Sequence, residues 1–411
     1  MAWLAPALRP LSLARAPHLP AALLALLVLA LALAGGVAYA RLVERRAIRA
    51  VAPLPLSQKM QGRALQAEAF RQSDLLPLYG ASELQHGGSA NPSLLFQHGP
   101  TGFLVFPIGH PGSTALNYVQ ALAAVGSTAR GKKVAFTFTP DEFFHTARQD
   151  AYDGSYSRLH AYALAFSPDL SFELKREVAA RMLDYPRTAP KDPLLAFALR
   201  QLIAGSPLNR ALYLAAVPLG RLATMVFCLQ DHWATLTALA ALGPVSAAPA
   251  APARLDWPAL LAAADQTARA QATNNPFGFK NEFWDMFKQD ARRFHNEQSD
   301  QDLQRLLDRS PGRTDLELLL RTVRELGAQP LVLVAPLPGA FSDYTGVTPQ
   351  GRAGYYAQIE AIARRYNVPL LDFADHDLDR FFVEDRVSHP SPKGWMFFDQ
   401  ALDAFVHGAL P

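Results

Sequence analysis

From Pro20 to Ala40 the chain runs 21 residues without a charged side chain, most of them Leu or Ala. A helix of that length reaches about 30 Å, the thickness of a bilayer's hydrocarbon core. No soluble core helix needs an apolar surface on every face over that distance, so a transmembrane anchor is expected at 20–40, after a short N-terminal tail at 1–19. Ala38-Tyr39-Ala40 resembles a signal-peptidase site, but the apolar run exceeds the roughly 7–15 residues of a signal-peptide core, which favours an uncleaved anchor. Arg9 and Arg15 precede the span, whereas Arg41, Arg45, Arg46 and Arg49 follow it with only Glu44 among them. The positive-inside rule therefore leans towards a cytoplasmic body, although large domains translocate against such a bias. The same basic segment can equally lie on anionic headgroups.

The remaining length leaves room for one large domain or two ordinary ones, and with half the 411 residues hydrophobic a substantial core is affordable. Net charge is +3, from 39 Lys and Arg against 36 Asp and Glu, with no basic stripe interleaved with aromatics, so a nucleic-acid partner is not expected. The single cysteine, Cys228, excludes an intramolecular disulfide and any Cys-based metal site. It follows Met225-Val226-Phe227 and reads as a buried, inert thiol. His86, His98 and His110 follow the first strand candidates without the paired spacing of a metal motif. Neither a metal nor a cofactor is expected.

Short apolar runs alternate with helical patterns at both ends of the chain. Leu75-Leu76-Pro77-Leu78, Phe103–Ile108 and Lys133–Thr139 read as strands, with a helix over Ala115–Val125 between the last two. Strand, helix, strand in this order points to a parallel sheet with crossover helices. From about 156 to 241 the pattern is helical, and Ala211–Leu229 is apolar enough for a buried or membrane-facing helix, interrupted by Pro218 and Arg221. An Ala/Pro-rich linker is expected at Pro244–Pro252 and a second helical region at Phe283–Leu307. The alternation then resumes with a helix over Asp315–Leu326, a strand over Pro330–Ala335, a helix over Gly351–Arg365, a strand over Val368–Phe373 and a closing helix over Gly394–Phe405. The expected organisation is a connecting segment at 41–70 and one α/β domain at 71–411, with a mostly helical insertion at about 156–310.

Two stretches carry chemistry. Tyr79-Gly80-Ala81-Ser82-Glu83 follows the first strand, and small residues beside Ser82 leave its hydroxyl free to stand at the strand's end. A serine nucleophile needs that geometry, because its oxygen must be reached by a base and by a substrate carbonyl. In Phe382–Pro390 an acid, Asp385, stands four residues before His389, and a carboxylate can orient an imidazole and stabilise its charged form. Spacing alone leaves a simple turn and a polar surface loop open as readings of the two stretches.

Taken together these segments resemble the DltD family, membrane-anchored proteins of the D-alanylation pathway for cell-envelope polymers. Gly80-Ala81-Ser82-Glu83 is similar to the family's Gly-Ser-Ser-Glu turn, and Gly109-His110-Pro111-Gly112-Ser113 with Gly131-Lys132-Lys133 to its second block. Asp343-Tyr344-Thr345-Gly346, Gly351-Arg352, Tyr355-Tyr356, Asp372–His376 and Lys393-Gly394-Trp395 resemble its C-terminal pattern in order and nearly in spacing. The resemblance implies a flavodoxin-like three-layer αβα sandwich of the SGNH-hydrolase kind. It also implies Ser82 as nucleophile, His389 as general base and Asp385 as its orienting acid. The oxyanion hole would come from the backbone N–H groups of Ser82 with Gly109 or Gly112, and Asp343 and Tyr344 would line the site. Two departures stand out: Ala81 replaces a serine, and the acid–histidine spacing is one residue longer than Asp-x-x-His. The second puts Arg386 at the usual acid position and makes Glu384 the alternative acid.

The function implied is a serine acyltransferase or esterase that transfers or hydrolyses D-alanyl esters. It would be a single-pass protein of the cytoplasmic membrane with its body on the extracytoplasmic side, against the lean of the arginines. Implied partners are a membrane-bound O-acyltransferase, a D-alanyl carrier protein and an envelope polymer such as lipoteichoic acid. Two other readings belong beside it: a non-catalytic assembly factor that binds those partners, and an SGNH esterase or O-acetyltransferase for another envelope polysaccharide.

Overall fold

A computed structural model describes residues 18–146, 148–243 and 254–410. Most of the tail assigned to 1–19 and the linker at 244–252 lie outside the described residues. The apolar run belongs to one helix, α1 (His18–Val51). At 34 residues it is about 50 Å long, more than a bilayer core requires. Its first half is exposed, whereas Ala40, Glu44, Ile48 and Val51 recur on one face and are buried against the body. Residues 41–51, read from sequence as connecting chain, are thus the last three turns of α1, and no irregular segment separates the apolar run from the body.

The body is built in chain order from α2 (Ala64–Arg71), β1 (Leu75–Gly80), β2 (Leu104–Gly109), α3 (Ala115–Val125) and β3 (Lys133–Phe138). A helical stretch follows, including α4 (Arg158–Ala165), α5 (Pro193–Ala204), α6 (Pro207–Leu242) and α7 (Trp257–Gln271). The chain then returns to the sheet through α8 (Gly312–Leu326), β4 (Gln329–Val334), α9 (Pro349–Tyr366), β5 (Leu370–Leu371) and α10 (Pro392–His407). All five strands are parallel in the order β2-β1-β3-β4-β5. This is the flavodoxin-like order, whose switch point lies between β1 and β3 at the strands' carboxyl ends.

Strands covered on both faces read as continuous apolar runs, and β1 is buried at every position. Alternation then divides the side chains between two cores. Tyr79, Phe106, Phe136 and Val334 face the layer that includes α3, α8 and α9. Leu78, Val105, Ala135 and Leu333 face the layer of α7 and α10, where Trp395, Phe398 and Leu402 are fully covered. The result is the three-layer α/β sandwich that the family resemblance implied.

Three local readings change. The strand expected at Val368–Phe373 shortens to Leu370–Leu371, because Asp372 accepts a hydrogen bond from the Ala374 N–H and Phe373 turns to φ 50°. The helical region at Phe283–Leu307 is two helices, Asn281–Ala291 and Asp300–Arg309, separated by a turn with Asn296 at φ 55°. Cys228 is half-buried on α6 rather than in the core, with its Sγ 3.7 Å from Arg63 Nη1.

In the β1–β2 pair Gly80 stands beside Gly109. A Cβ at Gly109 would lie 1.8 Å from the Gly80 carbonyl oxygen. Gly109→Ala is therefore expected to lower stability by about 1–3 kcal/mol through overpacking. Gly354→Ala, in the exposed interior of α9 with open space around it, should raise stability by about 0.5–1 kcal/mol. Denaturant midpoints of the two variants would test both, and equal midpoints would contradict the account of the β1–β2 contact.

Candidate active site

β1 delivers the chain to the carboxyl edge of the sheet and ends at Gly80. A Cβ there would meet Thr137 Oγ1 at 2.4 Å and Glu83 Oε1 at 2.5 Å, so only glycine admits the turn that follows. Ser82 opens a short 3₁₀ turn, Ser82–Gln85. Buried Glu83 folds back across it, and its Oε1 accepts hydrogen bonds from the Ala81 N–H (2.7 Å) and from Thr137 Oγ1 (2.6 Å). On the far side Asn91 Nδ2 donates to the carbonyls of Leu84 (2.8 Å) and His86 (2.9 Å). The turn is thus held from both ends with Ser82 facing outward.

The partner arrives from the loop between β5 and α10. An antiparallel bridge joins Val383 to Pro390, and the Glu384 N–H donates to the His389 carbonyl (2.8 Å), which closes residues 384–389 into a compact loop. His389 Nε2 lies 2.7 Å from Ser82 Oγ, across 307 residues of sequence. Asp385 Oδ2 bonds His389 Nδ1, while its Oδ1 accepts from the N–H groups of Val387 (3.0 Å) and His389 (3.1 Å). Bonded so, Asp385 favours the proton on Nδ1 and leaves Nε2 as the acceptor facing serine. Ser388 stands at φ 69°, and this left-handed residue absorbs the extra position in the loop. Arg386, which holds the usual acid position in sequence, turns away and stacks over Phe287 at 4.9 Å.

Burial depresses the His389 pKa, but the hydrogen bond and charge of Asp385, with Glu83 and Glu384 adding to them, outweigh it and raise the imidazole above its ordinary value. Glu384 does not serve His389 directly. Its Oε1 lies 2.5 Å from His86 Nδ1, and the His86 ring stacks on His389 with centroids 4.1 Å apart and planes 11° from parallel. Sequence reasoning weighed His86 only as a metal ligand and missed its place beside His389. Its only signal was position, four residues after Ser82 on the same turn, and a contact made through Glu384 was invisible without the fold.

Ser82 opens onto a pocket of about 240 Å³ whose walls include Gly112, Thr114, Asp141, Glu142 and Asp315. Burial and the neighbouring carboxylates Asp315, Glu83 and Asp141 push Glu142 well above the usual carboxylate range, against a hydrogen bond from the Ala115 N–H. A larger cleft of about 540 Å³ is lined by His86, Gly88, Lys280, Phe283 and Glu384. Gly109 lines neither of these two cavities, and it pairs with Gly80 in the β1–β2 contact. Asp343 and Tyr344 also line neither. Asp343 accepts from buried Arg352 Nη1 (2.5 Å), and Tyr344 packs on Phe277 and His295. Among the described residues no group of three or more His, Cys, Asp or Glu side chains is placed to hold a metal.

The model of the family described as DltD protein matches residues 55–407, from just beyond α1 to the end of α10. The chain belongs to the DltD family. It is 27% identical to Protein DltD of Bacillus subtilis (strain 168) over 346 residues, which cover 84% of this chain and 86% of the relative. Protein DltD of Staphylococcus aureus (strain NCTC 8325 / PS 47) is 24% identical over 85% of this chain and 86% of its own length. That of Lacticaseibacillus rhamnosus is 24% identical over 87% and 84%. Membership supports for this chain the DltD role in D-alanylation of teichoic acids. The apolar helix α1 fits the membrane association of that system. The C-terminal DltD pattern also has a physical reading, because Arg352 bonds Asp343, Asp377 (2.8 Å) and the Val347 carbonyl (3.2 Å) and ties α9 to the chain segments around it.

Reaction of Ser82 with a fluorophosphonate probe reads out this geometry. The rate should rise with pH as His389 loses its proton, with a midpoint above 6.5 because the folded-state pKa is raised. Asp385→Asn should shift that midpoint down, since burial then acts with less opposition, and slow labelling by up to about 10⁴-fold. Glu384→Gln should cost far less. A larger loss in Glu384→Gln than in Asp385→Asn would reverse the two carboxylates' roles.

Proposed function

We propose that the protein is a serine acyl-ester enzyme that forms a D-alanyl ester on Ser82 and passes the acyl group to a hydroxyl of an envelope polymer. The single observation that carries this reading is the continuous hydrogen-bonded line from Asp385 through His389 to Ser82, at the sheet's switch point and beside a small pocket. Ser82 Oγ attacks the carbonyl carbon of a D-alanyl donor while His389 Nε2 takes its proton. The tetrahedral intermediate collapses as His389 returns that proton to the leaving oxygen or sulfur. The acceptor hydroxyl then attacks the acyl-enzyme, its proton moves to His389, and Ser82 is released with the proton restored. Hydrolysis is the same second half with water in the acceptor's place.

The developing oxyanion would be met by the backbone N–H of Ser82, which starts its turn, together with that of Gly112, which borders the same pocket. A pocket of about 240 Å³ suits a small aminoacyl group and excludes a polymer chain, so the acceptor must approach from the open side. In this reading α1 is a single transmembrane anchor, and the body works on the extracytoplasmic face beside a membrane-bound O-acyltransferase and a D-alanyl carrier protein. Continuity of α1 into the body supports such a role, because a rigid junction keeps Ser82 at a set distance from the membrane.

Ser82→Ala should abolish the alkali-labile D-alanine of the envelope while the protein stays in the membrane at its normal level. Unchanged D-alanyl content would end the catalytic reading in favour of an assembly factor. Acetate as the acid released by the purified enzyme would instead indicate another ester. Protease added to intact spheroplasts should remove the body, and full protection would place it in the cytoplasm.

A further inference from the structure

We propose that the outward face of α6 lies in the headgroup–acyl boundary of the membrane that α1 enters, giving the body a second contact with lipid along the bilayer plane. Leu208, Leu212, Leu219, Leu222, Val226 and Trp233 recur at spacings of three, four and seven residues, which sets them on one helical face. All six are exposed, from 40% for Leu212 to 70% for Leu208 and 74% for Trp233, and Met225 beside them is 64% exposed. That is the reverse of a water-facing helix, which turns its polar side outward. A stripe of 26 residues spans about 39 Å, far more than the scattered apolar side chains of an ordinary surface.

Several polar groups of α6 bond to the body, although Arg210, Arg221, Gln230 and Thr237 are exposed. Tyr213 Oη donates to the Ala165 carbonyl (2.7 Å), and Arg210 stacks over Phe172 at 5.1 Å. Asp231 Oδ2 accepts from the N–H groups of Arg63 (2.8 Å) and Ala64 (2.7 Å) at the start of α2. His232 Nδ1 lies 2.6 Å from Glu44 Oε1. These ties hold α6 along the body. Crossing the bilayer would break them and carry Asp231 into hydrocarbon, so the helix lies on the membrane rather than through it.

Lipid is chosen as the occupant because the face is continuous with the anchor. α1 and α6 pack together, and the Glu44–His232 contact falls four residues beyond Ala40, where the apolar run of α1 ends. A bilayer that holds that run therefore reaches α6 at its His232 end. Arg41, Arg45 and Arg46 are exposed on the same part of α1, where they suit anionic headgroups, and Trp233 is the kind of side chain that favours the interface.

The test uses the full-length chain, with Cys228→Ser as background, reconstituted in phosphatidylethanolamine–phosphatidylglycerol vesicles that carry nitroxide lipids. A bimane label is placed at Leu219→Cys or Leu222→Cys, with Leu27→Cys in α1 as the lipid reference and Leu378→Cys, exposed on the body, as the aqueous one. The expected result is loss of fluorescence at 219 and 222 comparable to that at 27 and well above that at 378. Quenching at 27 but not at 219 or 222 overturns the proposal and leaves the anchor intact. So does disulfide cross-linking of two copies through 222 without quenching, which would mean that a second chain covers the face. Labelling of Ser82 by fluorophosphonate in the same vesicles reports separately on the active-site reading.

Discussion

The buried carboxylate of Glu83 is the interaction on which the active edge of the sheet depends. It joins the Ala81 N–H, just past the end of β1, to the hydroxyl of Thr137 on β3, and so bridges the switch point from within. A buried acceptor left without donors would be costly, so the turn and the neighbouring strand are locked to one another. Gly80 makes room for that carboxylate, and Gly109 makes room for Gly80. The backbone at Ser82 takes its direction from this arrangement, and its hydroxyl meets His389 Nε2 at 2.7 Å.

The second half of the site is built in a different way. Ser82 rests on a strand end buried between two cores, whereas His389 is carried by a loop whose shape comes from its own backbone hydrogen bonds. Within that loop Asp385 both caps the backbone and holds the imidazole, so one side chain sets loop shape and ring orientation together. The left-handed Ser388 costs on the order of 1–3 kcal/mol, a strain of the kind that persists where surrounding contacts over-determine the backbone. The Glu384–His86 pair supplies such contacts, with its ring stacked on the base.

The membrane end follows a similar logic. α1 leaves its apolar run and enters the body as one helix, so the apolar run and the Ser82 edge of the sheet are joined by a continuous element rather than an irregular tether. α6 meets α1 at that junction and binds the start of α2, the helix that precedes β1. A chain of packed elements therefore runs from the apolar run of α1 to Ser82.

Much of this was legible in the residues. Period and length alone located α1, since an uncharged apolar run of 21 residues has few other uses, and the central strands and α3 followed from apolar runs closed by glycine and proline. Ser82, His389 and Asp385 were legible as local patterns joined by family resemblance, because a turn serine and an acid four residues before a histidine are written in short windows. The choice between Asp385 and Glu384 was not, since adjacent carboxylates differ only in direction, and direction was decided by the hydrogen bonds of the loop and by φ at Ser388. Nor could spacing show that Gly109 lies against Gly80, that Gly112 borders the Ser82 pocket, or that Asp343 bonds Arg352, because those depend on which strands and helices come to lie side by side. The sequence by itself determined an α/β chain with a long N-terminal apolar helix, a serine turn and a histidine loop, for periodicity and turn chemistry are local properties. Only the tertiary structure decided which groups meet, because the 2.7 Å contact between Ser82 and His389 is set by the packing of a whole sheet between two layers of helices.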